Sequence, residues 1–337
     1  MAKTKVEFVC RECGASHHQW AGQCLDCKAW NTLEEVVISQ ATASKPASLK
    51  DLPASKVQHL SEIKSQNKDR LSTGLTELDR TLGGGLVDGS VVLIGGDPGI
   101  GKSTLILQAL SVLNKANTTP YVSGEESAEQ VSEREVRLGS KEDVLFIGET
   151  HLEKILKLSK DVQPKVIVID SIQTMVTDLS TSAPGSVTQV RDCAAQLTQY
   201  AKQTNTILLM IGHVTKGGAL AGPRILEHMV DAVLYFEGDA GGRYRIIRAV
   251  KNRFGAVNEI SVFAMGEKGL QQVSNPSSIF LSNQENPSSG SMVMVTREAT
   301  RPLLIEIQAL VDQSNSTPKR VSVGLDQNRL ALQLAIL

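Results

Sequence analysis

The feature that constrains this chain most is a complete G-x-x-x-x-G-K-[ST] phosphate loop, which reads Gly96-Asp97-Pro98-Gly99-Ile100-Gly101-Lys102-Ser103. The apolar run 91–94 precedes it and an apolar stretch begins at Leu105, so the motif has the strand before it and the helix after it that such a loop requires. Its glycines let backbone N–H groups turn inward around phosphates at the positive end of that helix. Lys102 adds a full positive charge, and the Ser103 hydroxyl is suited to Mg²⁺. The loop therefore predicts a nucleoside triphosphate site.

Composition sets looser limits. The 337 residues are enough for one large domain with appendages. The formal net charge of −1 gives no global basic bias, so any contact with nucleic acid must come from a local patch or a loop. No apolar run approaches the ~20 residues of a membrane span, and the N-terminus leads into no signal-peptide core. We therefore expect a cytoplasmic protein.

The cysteines are clustered. Four of the five lie within the first 27 residues, as Cys10-x-x-Cys13 and Cys24-x-x-Cys27. Each pair forms a tight knuckle, and two knuckles supply the four thiolates of a tetrahedral Zn²⁺ site. Disulfides are the poorer alternative in a reducing cytosol. His17 or His18 could replace a ligand, although four thiolates already fill the site. Cys193 lies in a helical stretch and is interpreted as a buried small hydrophobe.

Short β-rich runs alternate with helical stretches along the middle of the chain. Such runs are found at 91–94, 120–123, 144–147, 166–170 and 206–211. Strands that alternate with helices are typical of a parallel α/β sheet. Three more runs alternate more strictly than these, at 232–237, 243–250 and 260–263. This pattern predicts an antiparallel extension of the sheet.

Acidic residues follow two of the predicted strands. Asp170 ends four apolar residues, as a Walker B aspartate does, and is expected beside Ser103, where it would bind Mg²⁺ through water. Glu125 and Glu126 follow the run at 120–123, and one of them is expected to polarise the attacking water. The alternative is structural: Ser123 or Ser127 could begin the next helix, with these acids in its first turn, and both roles can hold at once.

Two segments rich in Ser and Pro divide the chain. From them we expect a zinc-binding finger at 1–36, a linker at 37–68, an ATPase domain at 69–273, a second linker at 274–290 and a final segment at 291–337. The first linker carries little apolar periodicity, which favours this interpretation.

Five longer motifs belong together. They are the cysteine pairs with Trp20 and Trp30-Asn31-Thr32, the segment 71–74, the segment from Gly95 through the phosphate loop to Thr104, the segment 121–127, and Lys251-Asn252-Arg253-Phe254-Gly255. Through them essentially the whole chain resembles the bacterial RadA (Sms) family of RecA-like DNA repair ATPases. The resemblance implies an α/β fold, in which a RecA-like P-loop core follows a four-cysteine zinc knuckle. It also implies that 291–337 is the beginning of a Lon-protease-like domain, and no serine–lysine pair there indicates protease activity.

The resemblance also implies a function. Members of this family are DNA-dependent, helicase-type ATPases of recombinational repair, which promote branch migration with the RecA recombinase on single-stranded and branched DNA. We accordingly expect ATP, Mg²⁺ and Zn²⁺ as ligands, and a homo-oligomer that forms a hexameric ring. Lys251 and Arg253, on a hairpin expected at the far edge of the sheet, would act on the nucleotide of a neighbouring subunit, as arginine fingers do. From the residues alone, this motif would only be a solvated basic hairpin tip.

In RecA-like motors, loops that face the channel of the ring contact DNA. Two loops qualify here, 178–186 and 215–224, and the second offers Lys216 and Arg224 to phosphates. An ordinary surface loop is the alternative. His213 precedes the second loop and either couples the γ-phosphate to it or is a buried histidine with its hydrogen bonds satisfied. Two other functions stay open: a switch similar to the circadian-clock KaiC ATPases, and a zinc-dependent DNA-binding adaptor without translocation.

Overall fold

The computed structural model describes residues 5–10, 15–38, 70–140, 143–213, 225–238, 242–281, 289–313 and 321–336. The chain divides into two compact units. The first comprises Met1–Pro276 with Arg297–Pro302, and the second comprises Ser277–Thr296 with Leu303–Leu337. Within the described ranges, no helix combines the length and the apolar character that crossing a membrane requires.

A small antiparallel sheet forms the N-terminal part of the first unit. Its strands are β1 (Lys5–Cys10), β2 (Ser16–His17) and β3 (Leu33–Ile38), and β1 pairs with both of the others. Cys10, Cys24 and Leu33 form its small buried core. Because this core is too small to stabilise a domain of such size alone, a metal is the expected source of stability.

A sheet of nine strands dominates the rest of the first unit. The strands are β4 (Val91–Gly96), β5 (Tyr121–Ser123), β6 (Phe146–Ile147), β7 (Val166–Asp170), β8 (Ile207–His213), β9 (Ala232–Glu237), β10 (Tyr244–Asn252), β11 (Ile260–Gly266) and β12 (Gly269–Gln272). The helices that accompany them are α1 (Thr76–Thr81), α2 (Lys102–Leu113), α3 (Ala128–Leu138), α4 (Leu152–Val162) and α5 (Val187–Thr204).

The strand order is β12-β11-β10-β9-β4-β8-β7-β5-β6. The six strands from β9 to β6 in this order pair in parallel, and β10, β11 and β12 continue the sheet in antiparallel fashion. This arrangement confirms the predicted parallel sheet with an antiparallel extension, but it corrects the place of the run 232–237, which was predicted in the extension and as β9 pairs in parallel with β4. It also places β10 third from one edge, between β9 and β11, so β12 separates the hairpin of β10 and β11 from the edge at which it was expected.

The central strand β4 is buried on both faces. Val92 and Ile94 pack in the same apolar cluster as the residues of α2, whereas Val91 and Leu93 pack in the cluster that contains α5. Successive side chains of a strand point to opposite faces, so a continuous apolar run is what a strand between two helical layers requires. The core of the domain therefore consists of two layers, one on each side of the sheet.

The second unit contains most of a two-stranded sheet, β13 (Ser291–Glu298) and β14 (Arg301–Gln308), and the helix α6 (Gln327–Ile336). The turn between the two strands belongs to the first unit. There, Arg301 is buried and its Nη1 lies 2.6 Å from Glu77 Oε2, while the Thr300 N–H donates to Glu259 Oε1 over 3.0 Å. These contacts attach the turn to α1 and to the start of β11.

Candidate functional site

The phosphate loop connects β4 to α2 at the carboxyl end of the central strands. Gly101 is the N-cap of α2 with φ +113°, and within the described part of the chain no side chain caps this end of the helix. The first N–H groups of a helix need partners from outside it. An uncapped helix start behind a glycine loop fits a bound phosphate, which supplies those partners. A side chain at position 101 would also meet Met265, whose Cε lies 2.8 Å from where its Cβ would be.

Lys102 is buried at the first position of α2. Its Nζ donates to the carbonyl oxygens of Gly96 (2.8 Å) and Asp97 (2.9 Å), and lies 3.2 Å from His213 Nδ1. Burial lowers the pKa of Lys102 to about 8, although the nearby carboxylates of Asp170 and Glu125 oppose this shift. The ammonium group therefore lies over the phosphate loop, in a place where an additional negative charge would stabilise it.

Asp170 ends β7 and is buried beside the start of α2. It accepts a hydrogen bond from the Tyr121 hydroxyl and is hydrogen-bonded to Ser103. Burial raises the pKa of Asp170, and these two hydrogen bonds oppose that shift. The structure thus brings together the predicted magnesium ligands, Ser103 and Asp170, and adds Tyr121, which sequence reasoning missed.

Glu125 and Glu126 follow β5, and the Ser123 hydroxyl accepts hydrogen bonds from both of their N–H groups. Their carboxylates have different partners. Glu125 accepts from the Ser171 hydroxyl, and its Oε1 lies 3.5 Å from His213 Nε2. The hydrogen bond with His213 is the largest cause that lowers the pKa of Glu125. Only Glu125 therefore shares a contact with Lys102, through the imidazole of His213.

Glu126 is bound by Arg134 of α3. The guanidinium donates through Nη1 to Oε2 (2.7 Å) and through Nη2 to Oε1 (2.5 Å). Sequence analysis did not single out Arg134. The available signal was weak, since an arginine eight residues after a glutamate contacts it only when the chain turns sharply before the helix. Ser127 begins α3 with a capping box and makes that turn.

These groups surround a cleft of about 360 Å³. The phosphate loop forms one side of it, and Glu125, Glu126, Asp170 and His213 also line it, together with two arginines of α3, Arg134 and Arg137. Of the predicted nucleotide and magnesium residues, Pro98, Gly99, the residues from Gly101 to Thr104, and Asp170 line the cleft, whereas Gly96, Asp97 and Ile100 do not. Ile100 is instead buried in the apolar core, which corrects its assignment to the nucleotide. The cleft combines the cationic and carboxylate groups that a Mg²⁺-nucleotide requires.

Lys251 and Arg253 are not part of this cleft in the same chain. Asn252 pairs with Ala232 of β9, and Ala232 pairs with Val92 near the start of β4. Gly96, at the end of β4, is about 13 Å further along the strand. The two basic residues therefore lie at the amino end of the central strands, opposite to the phosphate loop.

Both basic residues have partners at that end. Lys251 Nζ donates to the Glu227 carbonyl over 2.6 Å, and burial lowers the pKa of Lys251. The side chain of Arg253 is 57% exposed, and its Nη1 lies 3.0 Å from Oδ1 of the buried Asp231. Lys202 contacts the same carboxylate at 3.2 Å. Arg253 is thus both oriented by Asp231 and accessible from outside the subunit.

The loop that follows these residues is packed closely. A Cβ atom at position 255 would lie 2.7 Å from the Cα of Gly83. The two backbone segments are so close that only glycine fits at both positions. Arg70 Nη2 donates to the Phe254 carbonyl over 2.7 Å. The contact fixes the loop against the turn after α1.

Three of the four predicted zinc ligands converge. The Sγ atoms of Cys10, Cys24 and Cys27 all lie within 4.8 Å of one another, and Cys10 and Cys27 are 3.6 Å apart. Cys13 lies outside the described residues. His17 Nε2 is 3.4 Å from Cys24 Sγ, so it is placed to donate to a thiolate that binds metal. Three converging thiolates fit a structural Zn²⁺ site.

Of the two loops predicted to contact DNA, the structure describes 178–186 but not 215–224. Lys216 and Arg224 lie outside the described residues, as does the whole of the loop 215–224. In the loop 178–186, the Asp178 N–H donates to Glu153 Oε1 over 3.1 Å, and Leu179 is exposed.

Comparisons with known proteins agree with this geometry. A family model described as a family of unknown function (DUF7125) matches residues 70–256. A model described as a rubredoxin metal binding domain matches residues 8–35, which contain the cysteine cluster.

Curated relatives match the whole chain. The protein named DNA repair protein RadA in Pseudomonas aeruginosa is 56% identical over 100% of this chain and 75% of its own length. The proteins of the same name in Escherichia coli and Bacillus subtilis are 53% and 47% identical with the same coverage.

Among solved structures, an ATPase domain matches 63% of this chain and 94% of its own length, with a TM-score of 0.53 and 13% identity. That likeness concerns the fold alone.

Proposed function

Because the chain belongs to the RadA family of DNA repair proteins, we propose that it is a DNA-dependent ATPase of helicase type, which promotes branch migration of recombination intermediates with RecA. The observation that carries this proposal is the convergence of Lys102, Asp170 and Glu125 at the carboxyl ends of adjacent strands. This convergence supports ATP hydrolysis at the cleft, because that reaction needs a cation on the phosphates, a carboxylate for Mg²⁺ and a carboxylate for the attacking water.

In this proposal, residues 96–104 bind the phosphates of ATP. Ser103 and Asp170 would hold Mg²⁺, which supplies charge neutralisation at the β- and γ-phosphates. Lys102, whose Nζ now contacts two carbonyl oxygens of the loop, would donate to phosphate oxygens instead. The uncapped start of α2 would donate its first backbone N–H groups.

Glu125 is the residue proposed to polarise the attacking water. Its carboxylate faces the cleft beside Lys102 and His213, and its lowered pKa keeps it ionised at neutral pH. A carboxylate in this state accepts a proton from water. Glu126 is proposed to have a positioning role, because both of its oxygens already accept from Arg134.

Lys251 and Arg253 are proposed to act on the nucleotide of a neighbouring subunit. Their location at the opposite end of the sheet from the phosphate loop supports action between subunits over action within one. A closed ring brings opposite faces of adjacent subunits together. A hexameric ring, in which Arg253 reaches the next phosphate loop, satisfies this requirement.

The remaining parts of the chain are assigned supporting roles. The cysteines at 10, 13, 24 and 27 would bind Zn²⁺, and Lys216 and Arg224 would contact the phosphates of single-stranded DNA. The segment 291–337 would begin a Lon-protease-like domain without protease activity.

DNA-stimulated hydrolysis and strand displacement test the proposal together. ATP turnover is measured with and without single-stranded DNA, and strand displacement is measured on forked DNA with and without RecA. Lys102→Ala serves as the inactive control. A motor shows stimulation by DNA and ATP-dependent displacement that RecA increases. Hydrolysis without displacement would indicate a KaiC-like switch, and DNA binding without hydrolysis would indicate an adaptor. Either result would overturn the proposal.

A further inference from the structure

Tyr121, the first residue of β5, has a side chain with no exposure to solvent, and it belongs to the apolar cluster on the α2 face of the sheet. A buried tyrosine hydroxyl requires a hydrogen-bond partner. Phenylalanine would satisfy the apolar contacts of this position equally well. The hydroxyl is therefore the part of this residue that calls for an explanation.

The partner of this hydroxyl is the carboxylate of Asp170. Tyr121 pairs with Val168 of β7, and Ser123 pairs with Asp170, so the phenol extends two positions along the neighbouring strand to reach it. Ser103 also lies close enough to lower the pKa of Tyr121, against the larger rise that burial causes. The two side chains assigned to magnesium thus share one buried neighbour that does not itself line the cleft.

We propose that Tyr121 is a positioning residue, which fixes the orientation of the Asp170 carboxylate for binding of Mg²⁺ with the nucleotide. The inference rests on the proposed nucleotide site and extends it by one residue. When a hydrogen-bond donor holds one oxygen of a carboxylate, the direction of the other oxygen is fixed as well. Partners of metal ligands that act in this way typically change metal affinity by about 10- to 100-fold when they are removed.

The test is the dependence of nucleotide binding on Mg²⁺ in Tyr121→Phe. Binding of a fluorescent ADP analogue is titrated with Mg²⁺, and is measured separately in EDTA. We expect the half-saturating Mg²⁺ concentration to rise about tenfold, while affinity in EDTA is unchanged. Tyr200→Phe is the matched control, because Tyr200 is also buried but belongs to the apolar cluster on the other face of the sheet. It should leave both values unchanged.

A second measurement does not depend on how well Tyr121→Phe folds. The four tyrosines of the chain are replaced by 3-fluorotyrosine, which keeps the size of the ring, and ¹⁹F spectra are recorded with ADP before and after Mg²⁺ is added. The resonance of residue 121 should shift on addition of Mg²⁺, and that of residue 200 should not.

The outcomes separate this inference from the proposed function. If the wild-type protein binds no nucleotide, the proposed function fails. If it binds nucleotide in an Mg²⁺-dependent manner, but Tyr121→Phe has the wild-type Mg²⁺ midpoint or the resonance of residue 121 does not respond to Mg²⁺, only the role of Tyr121 is overturned.

Discussion

Arg134 holds the carboxylate of Glu126 through two parallel hydrogen bonds, Nη1 to Oε2 at 2.7 Å and Nη2 to Oε1 at 2.5 Å. A guanidinium in this fork geometry occupies both oxygens of its partner. Glu125, one residue earlier, instead contacts Ser171 and His213. Two adjacent glutamates that look equivalent in the sequence are therefore distinguished by a single residue of α3.

This difference predicts that the same substitution has unequal effects at the two positions. Glu125→Gln should lower kcat for ATP hydrolysis by about 100-fold or more, because a neutral amide cannot accept a proton from water. Affinity for ATP should be retained. The measurement is steady-state ATPase activity together with nucleotide affinity.

Glu126→Gln is the matched control for this experiment. It removes one charge from the pair with Arg134 and should reduce kcat by less than about tenfold, since the carboxylate has no assigned role in proton transfer. Loss of turnover in Glu126→Gln that equals or exceeds the loss in Glu125→Gln would exchange the two roles.

Lys102 gives the site a predictable response to pH. Burial lowers its pKa to about 8, so without nucleotide the side chain loses its proton as the pH rises through this value. Phosphates favour the charged form and raise the pKa in the complex. Above about pH 8, ATP binding should therefore take up a proton, and affinity should fall by up to about tenfold per pH unit.

Calorimetry in two buffers of different ionisation enthalpy measures this proton uptake directly at pH 7 and pH 9. Uptake should be small at pH 7, where Lys102 is charged in both states. Lys102→Ala is the control and should lack the uptake seen at pH 9. An equal uptake in that variant would assign the proton to another group.

The sequence was sufficient for those parts of the site that depend on local order along the chain. The phosphate loop, Asp170 at the end of an apolar strand, and the acids after β5 are each set by a strand and the turn that follows it. Parallel strands bring their carboxyl ends to one edge, so their convergence could be predicted as well.

The parts that could not be predicted depend on strand register and on the faces of helices. The contact of Tyr121 with Asp170 requires β5 and β7 to be adjacent, although α3, β6 and α4 separate them in the chain. The position of Arg253 at the opposite end of the sheet follows from the antiparallel direction of β10. Local patterns indicated which strands run antiparallel, but neither the order of the strands nor their register is written in such a pattern.

The cysteine cluster predicts a folded metal site that is independent of the ATPase core. The protein should contain about one Zn²⁺ per chain, and Cys10→Ser should lose it while ATP binding is kept. Elemental analysis measures the zinc content, and thermal unfolding shows whether the ATPase core stays folded. Cys193→Ser is the control and should keep its zinc, because burial raises the pKa of the Cys193 thiol to about 12 and makes it a poor ligand and nucleophile. Anaerobically purified protein without zinc would contradict the prediction.

The last prediction concerns Arg253, which Asp231 orients within its own subunit. Arg253→Ala and Lys102→Ala should each abolish most ATP turnover, the first by removing the finger and the second by removing a phosphate contact. If the finger acts between subunits, a mixture of the two variants should partly recover activity, because some interfaces then join an intact phosphate loop to an intact Arg253.

The control for this mixture is a variant of Lys202, the other cation that contacts the Asp231 carboxylate. Lys202 also contacts Asp231, at 3.2 Å, but it extends from α5 and has no assigned role at the interface, so Lys202→Ala alone should stay active. Mixed oligomers are verified by mass spectrometry before turnover is measured. If mixed oligomers of Arg253→Ala and Lys102→Ala form and hydrolyse no more ATP than the separate variants, Arg253 does not act across the interface. Its contact with Asp231 would then stabilise the amino end of the central strands, and a loss of thermal stability in Arg253→Ala would be the accompanying sign.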